Sequence, residues 1–118
     1  MGLNFRIGSD SEAEKAQWSY SGFHRFRERL AQEVGLNLNE MQGFGGKKPW
    51  EGLEDDIKIL LSHSDCDGRM TPEECGKVAT RLRALVADWE DCFDKMRAEQ
   101  LSDSMIVAHA RGEHLEFC

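Results

Sequence analysis

Leu3–Ile7 reads LNFRI, and its alternation decides the fold class. Leu3, Phe5 and Ile7 fall on one side and Asn4 and Arg6 on the other, the two-residue period of a half-buried strand. Most of the apolar pattern between residues 21 and 111 has a helical period, so without this strand the chain would read as a bundle. Outward from it, GSDSEAEK (8–15) interrupts the pattern. QWSYS (17–21) then alternates again through Trp18 and Tyr20. The pair predicts a hairpin with a long loop, in which SEAEKA (11–16) admits a short helical turn. At the other end HLEFC (114–118) alternates through Leu115 and Phe117, which predicts a third strand tying the C-terminus to that hairpin. The expected fold is therefore α+β: one domain over residues 1–118, mostly helical, with a small antiparallel sheet made by the chain ends.

Four helices are expected between the ends. From Ser21 as N-cap, Phe23, Phe26, Leu30, Ala31 and Val34 share one face, and Gly35-Leu36 is a C-cap signature. A second helix is predicted from Gly52 to Leu61, burying Leu53, Ile57, Leu60 and Leu61. In the third, Cys75, Val78, Ala79, Leu82, Leu85, Val86 and Trp89 form one stripe. Asp91 is placed to cap a fourth, with Phe93, Met96, Leu101, Met105, Val107 and Ala108 inward, and Gly112 ends it.

Composition narrows the function classes. Of 118 residues 40% are apolar and 31% charged, which a folded domain needs and a disordered chain lacks. The net charge of −7 is uneven, with 8 bases and 10 acids in residues 1–60 against 7 and 12 in residues 61–118. Such a surface repels phosphate backbones, and Arg25, Arg27 and Arg29, split between helix faces, read as solvated side chains. No nucleic-acid partner is expected. No segment has bilayer length, the opening MGLNFRIGSD lacks a signal-peptide core, and no lipidation motif fits. The expected location is the cytoplasm, with no membrane partner and with Cys66, Cys75, Cys92 and Cys118 reduced.

HSDCDGRMTPEE (63–74) carries the densest chemistry. With Gly68 as position six of a calcium-binding loop, Asp65 and Asp67 take positions three and five. Arg69 offers its carbonyl at seven, Met70 is the apolar residue at eight, and Glu74 is the bidentate acid at twelve. Over roughly two dozen residues the segment resembles an EF-hand. It departs by placing His63 at position one and Ser62 before the loop, and by lacking a second loop. A structural reading accounts for much of the same stretch. Thr71-Pro72-Glu73-Glu74 is a capping box with proline at the first helical position, and Asp65, Asp67 and Gly68 are turn residues. No cofactor is required on that reading; on the other, Asp65, Asp67, Arg69, Glu74 and His63 hold Ca2+ or Mg2+ weakly. A zinc site from His63, Cys66 and Cys75 has the right ligand types but matches no standard spacing.

GFGGKK (43–48) fails the Walker pattern, since Met41 stands where the first glycine belongs and Lys48 where Ser or Thr belongs. Phe44 and Trp50 in this glycine-rich segment are candidates for contact with a partner, or for pinning the loop to the core. His24, His109 and His114 lie in no motif with a nucleophile, so no enzyme is expected.

Taken together, YSGFHRFRERLA (20–31), GFGG (43–46), HSDCDG (63–68) with TPEEC (71–75), and GEHLEF (112–117) resemble a family of small proteins of actinobacteria and their phages. The resemblance makes His63 a feature of the type and carries no activity with it. An accessory or phage origin implies a protein that binds a host protein in the host cytoplasm.

Overall fold

A computed structural model describes residues 2–8, 17–52, 54–63, 68–90 and 93–117. The sheet forms as the end patterns predict. Strand β1 (Gly2–Ile7) pairs antiparallel with β2 (Gln17–Ser19), placing Leu3 opposite Trp18. Its other half pairs antiparallel with β4 (Leu115–Phe117), placing Phe5 opposite Phe117 and Ile7 opposite Leu115. A strand the sequence pattern does not reveal, β3 (Arg69–Met70), pairs with the far edge of β4, giving the order β2-β1-β4-β3. The fold class is α+β.

The period-two residues Leu3, Phe5, Ile7, Trp18, Met70, Leu115 and Phe117 are all buried on one face. There Phe5 meets Phe117 edge-on at 4.9 Å, and Trp18 stacks on Phe26 of the first helix at 4.7 Å. On the opposite face Arg6 pairs with Glu116 directly across the strands, at 2.9 Å.

Helix α1 (Tyr20–Glu33) buries Phe23, Phe26, Leu30 and Ala31 as expected, with Val34 half-buried. Its cap is Ser19 rather than Ser21: the Ser19 hydroxyl accepts the Gly22 N–H at 3.0 Å. Tyr20 accordingly belongs to the helix and is exposed, because the strand ends one residue before it. At the far end Gly35 takes a φ of +79°, with Leu36 N–H donating to the Ala31 carbonyl at 2.8 Å and Gly35 N–H to that of Gln32 at 3.1 Å. That double bond is a Schellman motif, as Gly35-Leu36 signals.

Helix α2 (Lys58–Leu61) is far shorter than predicted. The Asp55 carboxylate accepts the Ile57 N–H at 3.0 Å, an aspartate cap that lets the helix begin only after it. Arg81 grips the same carboxylate with three hydrogen bonds of 2.9–3.1 Å and holds it below the usual carboxylate range. Ile57, Leu60 and Leu61 are buried as expected, and Leu53 lies outside the described residues.

Helix α3 (Pro72–Val86) follows its sequence closely, burying Cys75, Val78, Ala79, Leu82, Leu85 and Val86, with Trp89 buried beyond it. Helix α4 (Phe93–Arg111) runs beside it. Here the expected inward set is corrected: Leu101, Met105 and Ala108 are buried, whereas Phe93, Met96 and Val107 are exposed. The inward stripe is Ala98, Leu101, Ser102, Met105 and Ala108, whose spacing holds one face; its small residues allow α3 to approach, and their low hydrophobicity hides the stripe in the sequence. Asp91, the expected cap, lies outside the described residues. Among the described residues no helix is long and apolar enough to cross a membrane.

Candidate functional site

The segment from α2 to α3 is organised by a residue that the sequence pattern misplaces. Arg27 is 2% exposed, not a solvated side chain. It lies four residues after Phe23 and three before Leu30, on the edge of the apolar stripe, and that spacing is the signal that could have found it. Its Nη1 donates to the carbonyls of Leu60 at 3.4 Å, Leu61 at 3.0 Å and His63 at 2.6 Å. They lie at and just beyond the end of α2, where the Leu60 carbonyl also takes the His63 N–H at 3.4 Å, and a guanidinium is suited to gather them. The same group lies over the rings of Phe23 at 4.6 Å and Phe44 at 5.0 Å.

His63 is held on three sides. Its carbonyl accepts from Arg27, and its ring stacks on Phe117 with centroids 3.8 Å apart and planes 19° from parallel. Its Nε2 lies 3.1 Å from the Arg69 carbonyl, which can only accept, so Nε2 carries the proton. That carbonyl is the one a calcium loop would offer at position seven. Gly68 follows the loop pattern with a φ of +90°, and a Cβ there would come within 3.1 Å of the His63 ring. The turn is closed onto the sheet by the Phe117 N–H, which donates to the Gly68 carbonyl at 2.9 Å.

Glu74 is also engaged. Its Oε1 accepts the Thr71 N–H at 2.9 Å while the Thr71 hydroxyl accepts the Glu74 N–H at 3.2 Å, the capping box read from TPEE. A carboxylate so committed must release the helix cap before it can chelate a cation. Cys75 is fully buried, and burial pushes its thiol up to about 11. Asp65, Cys66 and Asp67 lie outside the described residues. Among the described residues no group of three or more His, Cys, Asp or Glu side chains could hold a metal ion.

The glycine-rich segment is built, not slack. Gly43 and Gly45 have φ values of +91° and +93°, and a Cβ on Gly46 would lie 2.0 Å from the Glu40 carbonyl oxygen. The strands of the loop close through Gln42 N–H to the Lys48 carbonyl at 2.9 Å and Lys48 N–H to that of Glu40 at 3.0 Å. Phe44 and Trp50 are half-buried against the core and meet edge-on at 6.0 Å. The Trp50 indole donates to the Gln42 carbonyl at 2.9 Å. Both aromatics therefore pin the loop, and each keeps part of its surface in solvent.

Between this loop, α1 and the end of α2 lies a cleft of about 450 Å³ walled by His24, Arg27, Gln42, Phe44, Ser62 and His63. It brings Phe44 and His63, separate candidates in the sequence, onto one site; Trp50 supports it from behind Phe44, and Glu74 caps the helix beyond. No protein-family model matches the chain, and neither a curated protein nor a solved structure matches it.

Proposed function

We propose that the chain is a small, acidic, non-enzymatic interaction protein that receives a protein partner at the His24–Phe44–His63 cleft. The observation that supports this most is convergence. Of the four segments that carry the family resemblance, YSGFHRFRERLA, GFGG and HSDCDG supply the cleft walls, and GEHLEF supplies the Phe117 ring beneath His63. A cleft of this size, with ring faces and a few hydrogen-bonding groups, suits one anchoring side chain of a partner. Three of the four imidazoles have structural engagements: His63 with Phe117 and Arg69, His24 beside Glu28 at 3.4 Å, His109 with the Pro72 carbonyl at 2.8 Å. That supports recognition over acid–base chemistry. An actinobacterial or phage origin, with action in the host cytoplasm, belongs to the same proposal.

Gln42→Arg tests it. The Gln42 side chain is exposed and its hydrogen bonds run through the backbone, so the variant should fold while a long cation blocks the cleft. A partner captured by the native chain and lost with Gln42→Arg, at an unchanged thermal midpoint, is the expected result. Equal capture by both, or none by either, removes the reading.

A second reading, a divalent-metal module at 63–74, is supported by Gly68 in the left-handed region and Met70 fully buried, as positions six and eight require. Its test is a melt of metal-stripped chain with calcium, magnesium or zinc. An ion at a hundred times its dissociation constant adds about 2.7 kcal/mol. A rise with calcium that Asp67→Ala abolishes would establish the site, and flat melts with all three ions would dismiss it.

A further inference from the structure

We propose that a second cleft, between the edge strand β2 and the first turns of α4, binds an oxyanion: the carboxylate or phosphate group of a small ligand. This cleft has a volume of about 530 Å³ and is walled by Asn4, Gln17, Trp18 and Ser19 from the hairpin and by Phe93 and Arg97 from α4. It shares no residue with the His24–His63 cleft.

Three independent features of its wall call for the same missing partner. Trp18 is 4% exposed, and its indole Nε1 is buried with no hydrogen-bond partner; the Nε of Arg97 is in the same condition. Folded proteins rarely leave buried N–H groups orphaned, and two on one wall ask for an acceptor. The second feature is charge. In a chain of net charge −7, none of the described residues lining this cleft is acidic, while Asn4, Gln17, Ser19 and Arg97 all offer donors. The third is the helix itself. Phe93 and Arg97 stand in the first turns of a helix of 19 residues, so the positive end of its dipole lies toward this cleft. Orphan donors, a lining without acid and a helix N-terminus favour an acceptor that carries negative charge, since the one acid of that first turn, Asp94, is already paired with Arg29 at 3.1 Å.

Arg97 is the movable wall. Its guanidinium lies 3.7 Å over the Phe93 ring, itself 58% exposed, and its Nη1 donates to the Gln17 carbonyl. A neutral carbonyl is a weaker acceptor for a guanidinium than an oxyanion, which takes two parallel hydrogen bonds. An arriving carboxylate or phosphate therefore draws Arg97 off Gln17, and that movement frees the enclosed Nε of Arg97 on the wall it shares with Trp18. The Phe93 ring remains to cover an apolar or planar part of the ligand.

Nitrogen-15 spectra of the intact chain test this through its three tryptophan indole N–H signals, with that of Trp18 assigned by Trp18→Phe. If that variant fails to fold, Trp50→Phe and Trp89→Phe assign it by elimination. The probes are inorganic phosphate, acetate and benzoate at constant ionic strength, with chloride as the control. The expected result is a saturable shift of the Trp18 signal with at least one oxyanion while the Trp50 and Trp89 signals stay in place. Arg97→Met, which keeps the stem over Phe93, should weaken that response by about tenfold or more. Saturation by phosphate at the lower concentration identifies a phosphate ligand, and the reverse order a carboxylate; a preference for benzoate over acetate places the ring on Phe93. The proposal is overturned by a Trp18 signal that no probe moves, by a shift that chloride reproduces or that fails to saturate, or by one that survives Arg97→Met unchanged.

Discussion

The glycine loop at 41–50 and the turn at Ser62–His63 that ends α2 face each other across one cleft, yet different chemistry holds each in shape. The first is fixed by its backbone. Gly43 and Gly45 occupy conformations that L side chains resist, and Gly46 passes too close to Glu40 for any side chain. The second is fixed from outside by side chains: Arg27 gathers its carbonyls, His63 clamps Arg69, and Glu74 caps the helix that follows. Such a loop is most sensitive at its glycines, with buried Met41 and the half-buried Phe44 and Trp50 as its side-chain anchors. A side-chain-fixed turn is only as firm as its distant partners, and one of those, Arg27, lies 36 residues away from His63 in sequence.

The largest effect is expected at that partner. Arg27→Met keeps the stem in the core but leaves three carbonyls without their donor, and should cost about 3–4 kcal/mol in urea denaturation. A loss under about 1 kcal/mol would mean the turn holds itself. Next comes Gly46→Ala, whose Cβ meets backbone rather than a flexible side chain and should cost about 2–3 kcal/mol. Gly52→Ala is the control. Nothing lies within 4 Å of its Cβ position, so it should change stability by no more than about 0.5 kcal/mol. Equal losses at the two glycines would end the backbone explanation.

Two smaller effects probe the far end of the turn. Burial raises the Cys75 thiol from 9.0 to about 11, so the folded chain keeps a proton that the unfolded chain gives up. That contribution is intact below pH 9 and is lost as pH climbs through about 11, a decline of about 2 kcal/mol. Cys75→Ala should flatten the slope in pH-dependent denaturation, and an unchanged slope would assign it to other groups. Smallest is the cap. Glu74→Ala should lose about 1 kcal/mol, whereas Glu74→Gln, whose amide oxygen still accepts the Thr71 N–H, should lose little. Melts of Glu74→Gln with calcium sharpen the contrast, because this variant keeps the cap and forfeits the bidentate acid.

Features written in local spacing were legible in the sequence. LNFRI and HLEFC show the strands through period two, and Gly35-Leu36 and TPEE show a helix end and a helix start through chemistry confined to a few residues. The second helix, expected from Gly52, begins only at Lys58, because the Asp55 carboxylate takes the Ile57 N–H and is itself held by Arg81 from another helix, a contact that local spacing does not encode. Phe93, Met96 and Val107 were placed inside because they are the more hydrophobic side of α4, while packing against α3 favours the smaller one. At the candidate site the residue types were visible and their grouping was not. Phe44 and His63 look unrelated until Arg27, a charge that reads as surface, brings their two segments together.

The position of β4 inside the sheet has a kinetic consequence. Among the described residues, β1 and β3 are joined in the sheet through Leu115–Phe117 of β4, so the sheet stays open until synthesis has passed Phe117. The α3–α4 hairpin, built from neighbours in sequence, is free to form first, and the long-range closure comes last and slowest. Until then β1 and β3 present bare edges, the condition in which nascent chains pair with one another. Leu115–Phe117 thus act as the latch that ends this vulnerable period.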